Sequence, residues 1–312
     1  MSRNPSNLPK IIVIGGPTCS GKSDLGIYLA KKYGGEIINA DSLQVYKYFD
    51  IGTAKPDPAL RKTVPHHLVD VVEPDEEFDA KRFVELADSA IEDIKGRGKI
   101  PIVVGGTGLY IRALLFGLFE AKKDKDLRRR LSENYLRDPF ALYEKLLMID
   151  SEYAKKISPK DRIRIVRALE VYYTTGRKMS EWEKIHGFKE LRYDALFLGL
   201  HRERKELYFR ISERVDRMLA NGWIEEVRSI LSMDFPEDIK PMRAIGYSDI
   251  LRYLKGELSY TDMVRIIKKK TRNYAKRQIT WFSKEKYLKW FVFPEEIRKI
   301  EEEVRLFLGS ET

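Results

Sequence analysis

Hydrophobic residues in the first 116 positions fall into short apolar runs separated by helical patterns. Three runs rich in β-branched residues, KIIVI at 10–14, EIINA at 36–40 and IPIVV at 100–104, predict buried strands. Helical patterns between them predict helices over 23–33 and 79–95. Strands that alternate with helices are typical of an α/β fold with a parallel, doubly wound sheet.

The pattern changes after Phe119, where only helices and turns rich in Arg and Lys follow. Strand character returns in DALFLGL at 194–200. We therefore expect a discontinuous core formed by 1–120 and 191–312, with an all-helical insertion domain at 121–190.

Residues with known end preferences predict where several helices begin and end. Gly96 is expected to close the helix that precedes the third strand, and Gly176 the helix that runs to Thr175. Ser158, followed by proline, is expected to cap the start of that second helix. Ser180 and Glu183 have the spacing of a capping box for the next short helix.

The C-terminal third reads as helical and strongly basic. Residues 261–290 hold ten basic and two acidic residues, a net +8 in a chain whose total is +10. Within it a basic stripe recurs at helical spacing: Arg265, Lys269, Arg272 and Lys276. A solvated helix face is one interpretation, and contact with nucleic acid is the other; the concentration of charge favours the second slightly.

Composition excludes several classes of protein. The chain has 312 residues, of which 43% are hydrophobic, so intrinsic disorder and fibrous structure are excluded. A single cysteine, Cys19, excludes an internal disulfide. No apolar run approaches the length of a membrane helix, and the N-terminus lacks the pattern of a signal peptide. We expect a cytoplasmic protein without a membrane partner.

The first strand is followed by a loop that fits the pattern G-x-x-x-x-G-K-[ST] between a strand and a helix. Its amides and the helix N-terminus would form a nest for phosphate oxygens, to which Lys22 adds a charge. The Ser23 hydroxyl could bind Mg²⁺. The motif predicts binding of a diphosphate or triphosphate without saying which. Its residues are Gly16, Pro17, Thr18, Cys19, Ser20, Gly21, Lys22 and Ser23.

Asp41 follows the second strand, at the edge of the sheet where ligands bind in such folds. It could hold Mg²⁺, act as a general base, or only cap the turn before Leu43. Thr107 follows the third strand and is expected to lie beside Asp41 as a hydrogen-bonding partner. Glycines 105–108 would let the backbone approach a ligand closely. The missing acid after this strand argues mildly against ATP hydrolysis, although Asp70 keeps that alternative open.

Two further pairs of residues invite a functional interpretation. His66 and His67 are adjacent, so on a strand they would face opposite ways and could not share a metal. Arg164 and Arg167 share one helix face and could bind phosphates. Alternatively, they could pair with the acids Asp161 and Glu170.

Taken together, the motifs resemble one family over nearly the whole chain. The chain closely resembles the tRNA dimethylallyltransferases of the bacterial type. The segments that carry this resemblance are GPTCSGKS, NADSLQVYKYFDIGTAKP at 39–56, PHHLVD at 65–70, VGGTGLY at 104–110, RALEVYYTTGR at 167–177, RVDRML at 214–219, RAIGYSD at 243–249 and KRQITWF at 276–282.

The resemblance implies a P-loop NTPase-like core and a specific reaction. These enzymes transfer a dimethylallyl group from dimethylallyl diphosphate to the exocyclic amine of the adenosine 3′ of the anticodon, at tRNA position 37. Asp41 matches the family's general base, and Thr107 the residue that helps to orient it. The P-loop and Arg214 would hold the diphosphate of the prenyl donor as a leaving group. Mg²⁺ at Ser23 is the implied cofactor.

The resemblance also implies contacts with the tRNA anticodon stem-loop, and we expect a monomer. One departure is evident: Ile163 stands where the family often has Gln, so this chain lacks any RNA contact that the Gln side chain makes. The positions that match tRNA contacts are Asp41, Ser42, Leu43, Gln44, Thr107, Arg128, Arg164, Arg167, Arg243, Lys276, Arg277 and Gln278.

Three other activities remain open at this point. A small-molecule kinase would use the helical insertion as a substrate lid, although it has no need of the basic C-terminal segment. A nucleic-acid-binding ATPase is disfavoured by the missing acid after the third strand. Prenyl transfer to free adenine nucleotides is a closer alternative, against which the basic surface argues.

Overall fold

The computed structural model describes residues 8–119, 121, 123–188 and 190–309. The chain divides into two compact units. The α/β unit consists of the described residues of Met1–Leu115 and Arg192–Thr312, and the helical unit is Phe116–Leu191.

A six-stranded, fully parallel sheet forms the centre of the α/β unit. Its strand order is β3-β2-β4-β1-β5-β6. The strands are β1 (Lys10–Gly15), β2 (Gly35–Asn39), β3 (His66–His67), β4 (Ile100–Val104), β5 (Asp194–Leu200) and β6 (Leu288–Phe291).

Helices flank this sheet and connect its strands. Those of the α/β unit are α1 (Lys22–Tyr33), α2 (Pro58–Thr63), α3 (Ala80–Gly96), α4 (Gly108–Phe116, which ends at the unit boundary), α10 (Arg204–Ala220), α11 (Trp223–Leu231), α12 (Tyr247–Leu254), α13 (Tyr260–Phe282) and α14 (Ile297–Leu308).

The described residues of the helical unit form five helices around their own apolar core. Leu131, Leu146, Ile165 and Leu169 lie at the centre of this core and are almost entirely buried. The helices are α5 (Lys125–Arg137), α6 (Pro139–Ile149), α7 (Ser151–Ala154), α8 (Arg162–Thr175) and α9 (Met179–His186).

The strands are buried because their apolar side chains pack against helices. Ile12 and Ile14 of β1 and Leu198 of β5 belong to one cluster, with Leu25 and Leu29 of α1. A parallel sheet covered on its faces needs apolar residues along the whole strand rather than an alternating pattern. This explains why continuous apolar runs predicted β1, β2, β4 and β5 correctly.

Two strands were not predicted from the sequence. β3 has only two residues, and β6 occupies part of the region that we expected to be entirely helical. The prediction of a wholly helical C-terminal third is therefore wrong at Leu288–Phe291. This strand pairs with β5 and forms one edge of the sheet.

Three expected helix ends differ from those observed. Gly96 lies inside α3, and Arg97 is its C-cap, before Gly98 with φ of 71°. The cap of α8 is Asp161, which accepts from Arg164 N–H, rather than Ser158. Ser180 lies buried within α9, so the capping box with Glu183 does not form. Gly176 ends α8 in a left-handed conformation, as expected.

A buried carboxylate on β2 is paired with two cationic side chains and hydrogen-bonded to a histidine. Glu36 accepts hydrogen bonds from Arg97, Lys99 and His67. The Arg97 hydrogen bonds lower the pKa of Glu36 far below its ordinary value, although burial opposes this. The charge is tolerated inside the fold because these partners replace water.

None of the described helices combines the length and the apolar composition that crossing a membrane requires.

Candidate active site

The phosphate-binding motif forms the turn between β1 and α1. Gly16 has a φ of 138°, and a Cβ there would lie 2.4 Å from the carbonyl oxygen of Leu200. Gly21 caps the start of α1 with a φ of 101°. Both positions require glycine, so the pattern that predicted the loop reflects real backbone constraints.

Lys22 lies at the base of this loop and is partly buried. Its ammonium group donates a hydrogen bond of 2.6 Å to the carbonyl of Pro17. Desolvation lowers the pKa of Lys22 to about 8, with a further contribution from the charge of Arg214. A partly buried cation competes less with water than an exposed one does, so it can interact more strongly with an anion.

Arg214 reaches the same loop from α10, almost two hundred residues later in the chain. Its Nη1 atom lies 3.1 Å from Thr18 Oγ1 and 3.9 Å from Cys19 Sγ. The fold thus brings a second fixed positive charge to the loop. The loop pattern alone does not predict this; only the family resemblance pointed to Arg214.

Asp41 lies just beyond the end of β2 and shapes the turn that follows. Its Oδ1 atom accepts hydrogen bonds from the backbone N–H of Leu43 at 2.8 Å and of Gln44 at 3.4 Å. Asp41 therefore caps this turn, which is one of the three roles considered for it from the sequence. Within the described chain, its Oδ2 atom accepts no protein hydrogen bond, which leaves one oxygen free for a substrate proton.

Thr107 links the loop after β4 to the turn that carries Asp41. Its hydroxyl accepts a hydrogen bond of 3.2 Å from Ser42 N–H. Its own N–H donates to the carbonyl of Ala40 at 3.2 Å. Thr107 is thus joined to the residues on either side of Asp41, and both contacts fix the backbone there. Among the described residues, the expected hydrogen bond between Thr107 and the Asp41 carboxylate is not formed.

The glycines after β4 are needed for packing within the chain. A Cβ at Gly105 would lie 2.1 Å from the carbonyl oxygen of Ala40, and one at Gly106 would lie 2.3 Å from Gln278 Nε2. A Cβ at Gly108 would lie 2.2 Å from the Trp281 ring. These glycines therefore let the chain approach itself closely, while Gly105 and Gly106 also line the cleft.

Gln278 is buried on α13 and uses both ends of its amide within the protein. Its oxygen accepts from Thr18 N–H at 2.9 Å, and its nitrogen donates to the carbonyl of Gly106 at 3.0 Å. This residue matched a tRNA-contacting position of the family. In the structure it joins the phosphate-binding loop to the loop after β4.

Tyr274 of α13 is a residue of the site that the sequence analysis did not assign to it. It lines the same cleft as Asp41, and the Arg277 guanidinium lies 5.6 Å from the centre of its ring. Burial and the nearby charge of Asp41 raise the pKa of Tyr274 well above its ordinary value. Its hydroxyl therefore remains protonated and can only donate or accept hydrogen bonds.

These elements enclose a single cleft of about 750 Å³ in the α/β unit. One further wall comes from the segment that follows the Asp41 turn. This segment belongs to residues 39–56, which carry the family resemblance, but residues 50–55 were not predicted as site residues. Residues of the cleft include Thr18, Cys19, Gly21, Lys22, Ser23, Asp41, Gln44, Gly105, Gly106, Arg214, Tyr274 and Gln278, with Asp50, Ile51, Thr53, Ala54 and Lys55 in the further wall.

Asp70 is committed to ion pairs that keep it from acting as the acid of a hydrolytic site. Its Oδ1 lies 2.5 Å from the ammonium of Lys55, and its Oδ2 lies 2.7 Å from Arg61. The Lys55 side chain is only 2% exposed. This carboxylate therefore holds the further wall together, which weakens the ATPase interpretation.

The residues present fit Mg²⁺ bound together with a phosphate ligand. Among the described residues, no group of three His, Cys, Asp or Glu side chains could hold a metal by itself. Ser23 and Asp41 both line the cleft and supply oxygen atoms. Mg²⁺ commonly takes one or two protein oxygens and completes its coordination with water and substrate phosphates. His66 faces the cleft, whereas His67 binds Glu36.

The arginines of the helical unit surround a buried carboxylate. Arg128 and Arg167 donate to Glu170 Oε2 at 2.7 and 2.9 Å. Burial raises the pKa of Glu170, but these hydrogen bonds outweigh it and lower the pKa overall. Arg164 pairs with Asp161 at 2.6 Å. The pairing alternative for these arginines is thus present in the structure.

The basic residues predicted at the C-terminal helix lie mainly on its surface. Lys269, Lys276 and Arg277 are exposed, and Arg272 lies over the ring of Tyr208 at 5.8 Å. Arg243 is also exposed and pairs with Asp238. A net positive helix face is therefore available to a polyanion.

Comparison with known proteins supports a single family. A family model described as IPP transferase matches residues 44–285. The chain is 50% identical over 295 residues to tRNA dimethylallyltransferase 2 of Geotalea uraniireducens, covering 93% of this chain and 94% of that protein. It is 44% identical to tRNA dimethylallyltransferase of Geobacter sulfurreducens, covering 99% and 100% of the two chains.

Solved structures agree with these sequence matches. The tRNA isopentenylpyrophosphate transferase of Bacillus halodurans is 36% identical, with a TM-score of 0.71 and coverage of 96% and 97% of the two chains. A eukaryotic dimethylallyltransferase acting on tRNA is 34% identical, with a TM-score of 0.80 and coverage of 97% of this chain and 80% of its own. The chain therefore belongs to the IPP transferase family, the tRNA dimethylallyltransferases.

Proposed function

We propose that the cleft of the α/β unit is where this enzyme moves a dimethylallyl group from dimethylallyl diphosphate to tRNA. The acceptor is the exocyclic amine of the adenosine 3′ of the anticodon, at position 37, and the products are N6-isopentenyladenosine and diphosphate. One observation carries this assignment: a carboxylate with a free oxygen and a phosphate-binding loop with two cations line the same cleft.

The phosphate-binding loop would hold the diphosphate of the prenyl donor. Lys22 and Arg214 supply positive charge, and the N-terminus of α1 supplies backbone N–H groups. Negative charge develops on the diphosphate as it departs, so these groups stabilise the transition state more than the ground state. The loop then binds a leaving group, and no nucleotide needs to be hydrolysed.

Asp41 would accept the proton of the attacking amine. The adenine nitrogen forms a bond to C1 of the dimethylallyl group while the C1–O bond breaks, and the bonding electrons leave with the diphosphate. The amine loses its proton to Asp41 Oδ2, because Oδ1 is occupied by the turn that it caps. Thr107 would hold this turn in place through Ser42.

Mg²⁺ would be held by Ser23, together with the diphosphate oxygens. When bound, it neutralises charge on the leaving group. Cys19, Ser20 and the glycines of the loop then serve by backbone shape, since Gly16 and Gly21 have conformations that other residues adopt at a cost.

Basic residues would bind the phosphates of the tRNA, and the turn at the mouth of the cleft would recognise the adenine. Lys276 and Arg277 of α13 and the exposed Arg243 would bind phosphates. Ser42, Leu43 and Gln44 form the turn that would meet the extruded adenine. An arginine has five N–H donors, so Arg128, Arg164 and Arg167 can hold their carboxylates and still reach a phosphate. Removing one base from a single-stranded loop costs about a few kcal/mol.

One copy of the chain supplies every residue of the proposed site, which supports a monomeric enzyme acting on the anticodon stem-loop. A tRNA substrate supports the expected location of this activity in the cytoplasm. The helical unit would contribute only phosphate contacts, since none of the cleft residues belongs to it.

A transfer assay tests the proposal directly. Unmodified tRNA, Mg²⁺ and labelled dimethylallyl diphosphate are incubated with the enzyme, beside parallel reactions with free AMP or with γ-labelled ATP. Label on the anticodon-loop adenosine, with AMP unlabelled and ATP intact, supports the proposal. Label on AMP would change the acceptor, and phosphate transfer from ATP without prenylation would refute the reaction.

A further inference from the structure

The further wall of the cleft contains a loop, residues 50–54, that is held from behind by α11 and α12. The carboxylate of Glu226 on α11 accepts hydrogen bonds from three backbone N–H groups of this loop. Its Oε2 accepts from Asp50 at 2.9 Å and from Ile51 at 2.6 Å, and its Oε1 accepts from Gly52 at 3.2 Å. The Tyr247 hydroxyl donates to the same Oε1 at 2.6 Å.

Four hydrogen bonds therefore converge on one carboxylate, three of them from consecutive amides. Burial, reinforced by the charge of Glu226, raises the pKa of Tyr247 well above its ordinary value, so the hydroxyl stays protonated and donates. Charge-assisted hydrogen bonds of this kind are about twice as strong as neutral ones. The amides of the 50–54 loop thus hold the Glu226 carboxylate in the way that consecutive backbone amides hold an anion.

Close packing leaves the 50–54 loop little freedom around this carboxylate. A Cβ at Gly52 would lie 2.0 Å from Trp223 Nε1, and one at Gly246 would lie 2.0 Å from Trp223 Cη2. Trp223 and Tyr247 are fully or almost fully buried. The Phe49 and Tyr247 rings pack with their centres 4.9 Å apart. Small residues at 52 and 246 are therefore required for the contact with Glu226.

The far side of the same loop reaches the turn that carries Asp41. The side-chain nitrogen of Gln44 donates to the carbonyls of Thr53 at 2.9 Å and Ala54 at 3.1 Å. The backbone N–H of Gln44 donates to Asp41 Oδ1. A continuous set of hydrogen bonds therefore runs from α11 through the 50–54 loop to the carboxylate of the cleft.

We propose that Glu226 is a positioning residue for the transfer reaction. By fixing the 50–54 loop it fixes Gln44, and through Gln44 it fixes the direction of the Asp41 carboxylate toward the acceptor amine. The phosphate-binding loop is held separately, by β1, α1 and Gln278, so donor binding does not depend on Glu226. This inference rests on the proposed function, because it gives Glu226 a role through Asp41.

The test compares Glu226→Gln with Glu225→Gln. The first replaces one acceptor oxygen by an N–H₂ group that cannot accept from the amides it faces. The second makes the same charge change one residue away, where Glu225 is exposed and pairs with Arg228 at 3.6 Å. Three quantities are measured with full-length enzyme: the single-turnover rate of prenyl transfer to tRNA, the steady-state KM for dimethylallyl diphosphate, and hydrogen exchange of the amides of residues 50–52 and of the phosphate-binding loop.

We expect E226Q to lower the single-turnover rate about 10- to 100-fold, because a small misplacement of a reacting group has effects of this size. The KM for dimethylallyl diphosphate should stay within about twofold of wild type, since its binding groups are untouched. Exchange at residues 50–52 should become faster while that of the phosphate-binding loop does not change. E225Q should match wild type in all three measurements.

A second variant covers the case in which E226Q does not fold. Tyr247→Phe keeps the ring and removes one of the four hydrogen bonds, so exchange at Gly52 and the transfer rate should change about two- to tenfold in the same directions. Wild-type rates in either variant, or a rise in the donor KM equal to the loss in rate, would overturn the inference. Absence of prenyl transfer by the wild-type chain would instead overturn the proposed function, and the inference with it.

Discussion

Gln278 accepts a hydrogen bond of 2.9 Å from the backbone N–H of Thr18, a residue that precedes it by 260 positions. The same amide donates to the carbonyl of Gly106. The helix with the basic stripe is thereby fixed to the two loops that shape the cleft. Docking of a polyanion on α13 and binding of a diphosphate at the loop thus involve elements joined by one side chain.

Replacing Gln278 by leucine should reduce the free energy of unfolding by about 2 kcal/mol, because two backbone groups would lose their partner in a buried site. Thr280→Ala is the matched control. Thr280 is exposed on the same helix and donates only to the carbonyl of Lys276, so its removal should cost less than about 0.5 kcal/mol. Urea denaturation measures both, and equal stability of the two variants would contradict the structural role of Gln278.

The pKa of Lys22, lowered by burial to about 8, predicts how donor binding depends on pH. Below that value the ammonium is charged and attracts the diphosphate, and above it the charge is lost. The KM for dimethylallyl diphosphate should therefore rise by up to about tenfold between pH 7 and pH 9. Steady-state kinetics across this range measure the effect.

Lys22→Gln separates this group from others that titrate nearby. Its donor KM should be high at every pH and nearly flat. Lys31→Gln alters an exposed lysine on the same helix and should keep the wild-type profile. A Lys22→Gln enzyme with the wild-type pH profile would show that another group controls donor binding.

Charge reversal on the basic stripe should weaken tRNA binding. Lys269→Glu is the cleanest change, since Lys269 is exposed, whereas Arg272 also packs on Tyr208. Loss of one phosphate contact should reduce the slope of log K against log salt by about 1. Filter binding at several salt concentrations measures this slope. Lys95→Glu, an exposed lysine on α3, serves as control, and an equal effect at both sites would identify the stripe as a solvated face.

The parts of the site that depend on local sequence could be predicted. β1, the phosphate-binding loop and α1 form one continuous pattern in which Gly16 and Gly21 have required conformations. Asp41 was located by its place at the end of a strand. These features depend on neighbouring residues, and a single sequence contains that information.

The parts of the fold and the site that depend on long-range packing could not be predicted from the sequence. Leu288–Phe291 is a short segment among lysines, and it becomes a strand only because β5 offers it an edge. Gln278 lies in a basic helix, where a polar residue suggests contact with RNA rather than a buried side chain that joins two loops. Glu226 resembles any surface glutamate of an amphipathic helix, and only the fold shows which amides it meets.

The central claim is that the carboxylate of Asp41 accepts the proton of the attacking amine. Asp41→Asn preserves the turn, since the Asn oxygen can still accept from Leu43 N–H, but it removes the base. Asp57→Asn is the matched control, because Asp57 also lines the cleft and caps a backbone N–H, that of Ala59.

Single-turnover transfer from labelled dimethylallyl diphosphate to tRNA, with tRNA affinity measured in parallel, decides the matter. The account predicts that Asp41→Asn loses about 10²- to 10⁴-fold in rate while tRNA binding stays near wild type, and that Asp57→Asn transfers normally. Transfer by Asp41→Asn at the rate of Asp57→Asn would contradict the assignment of the base.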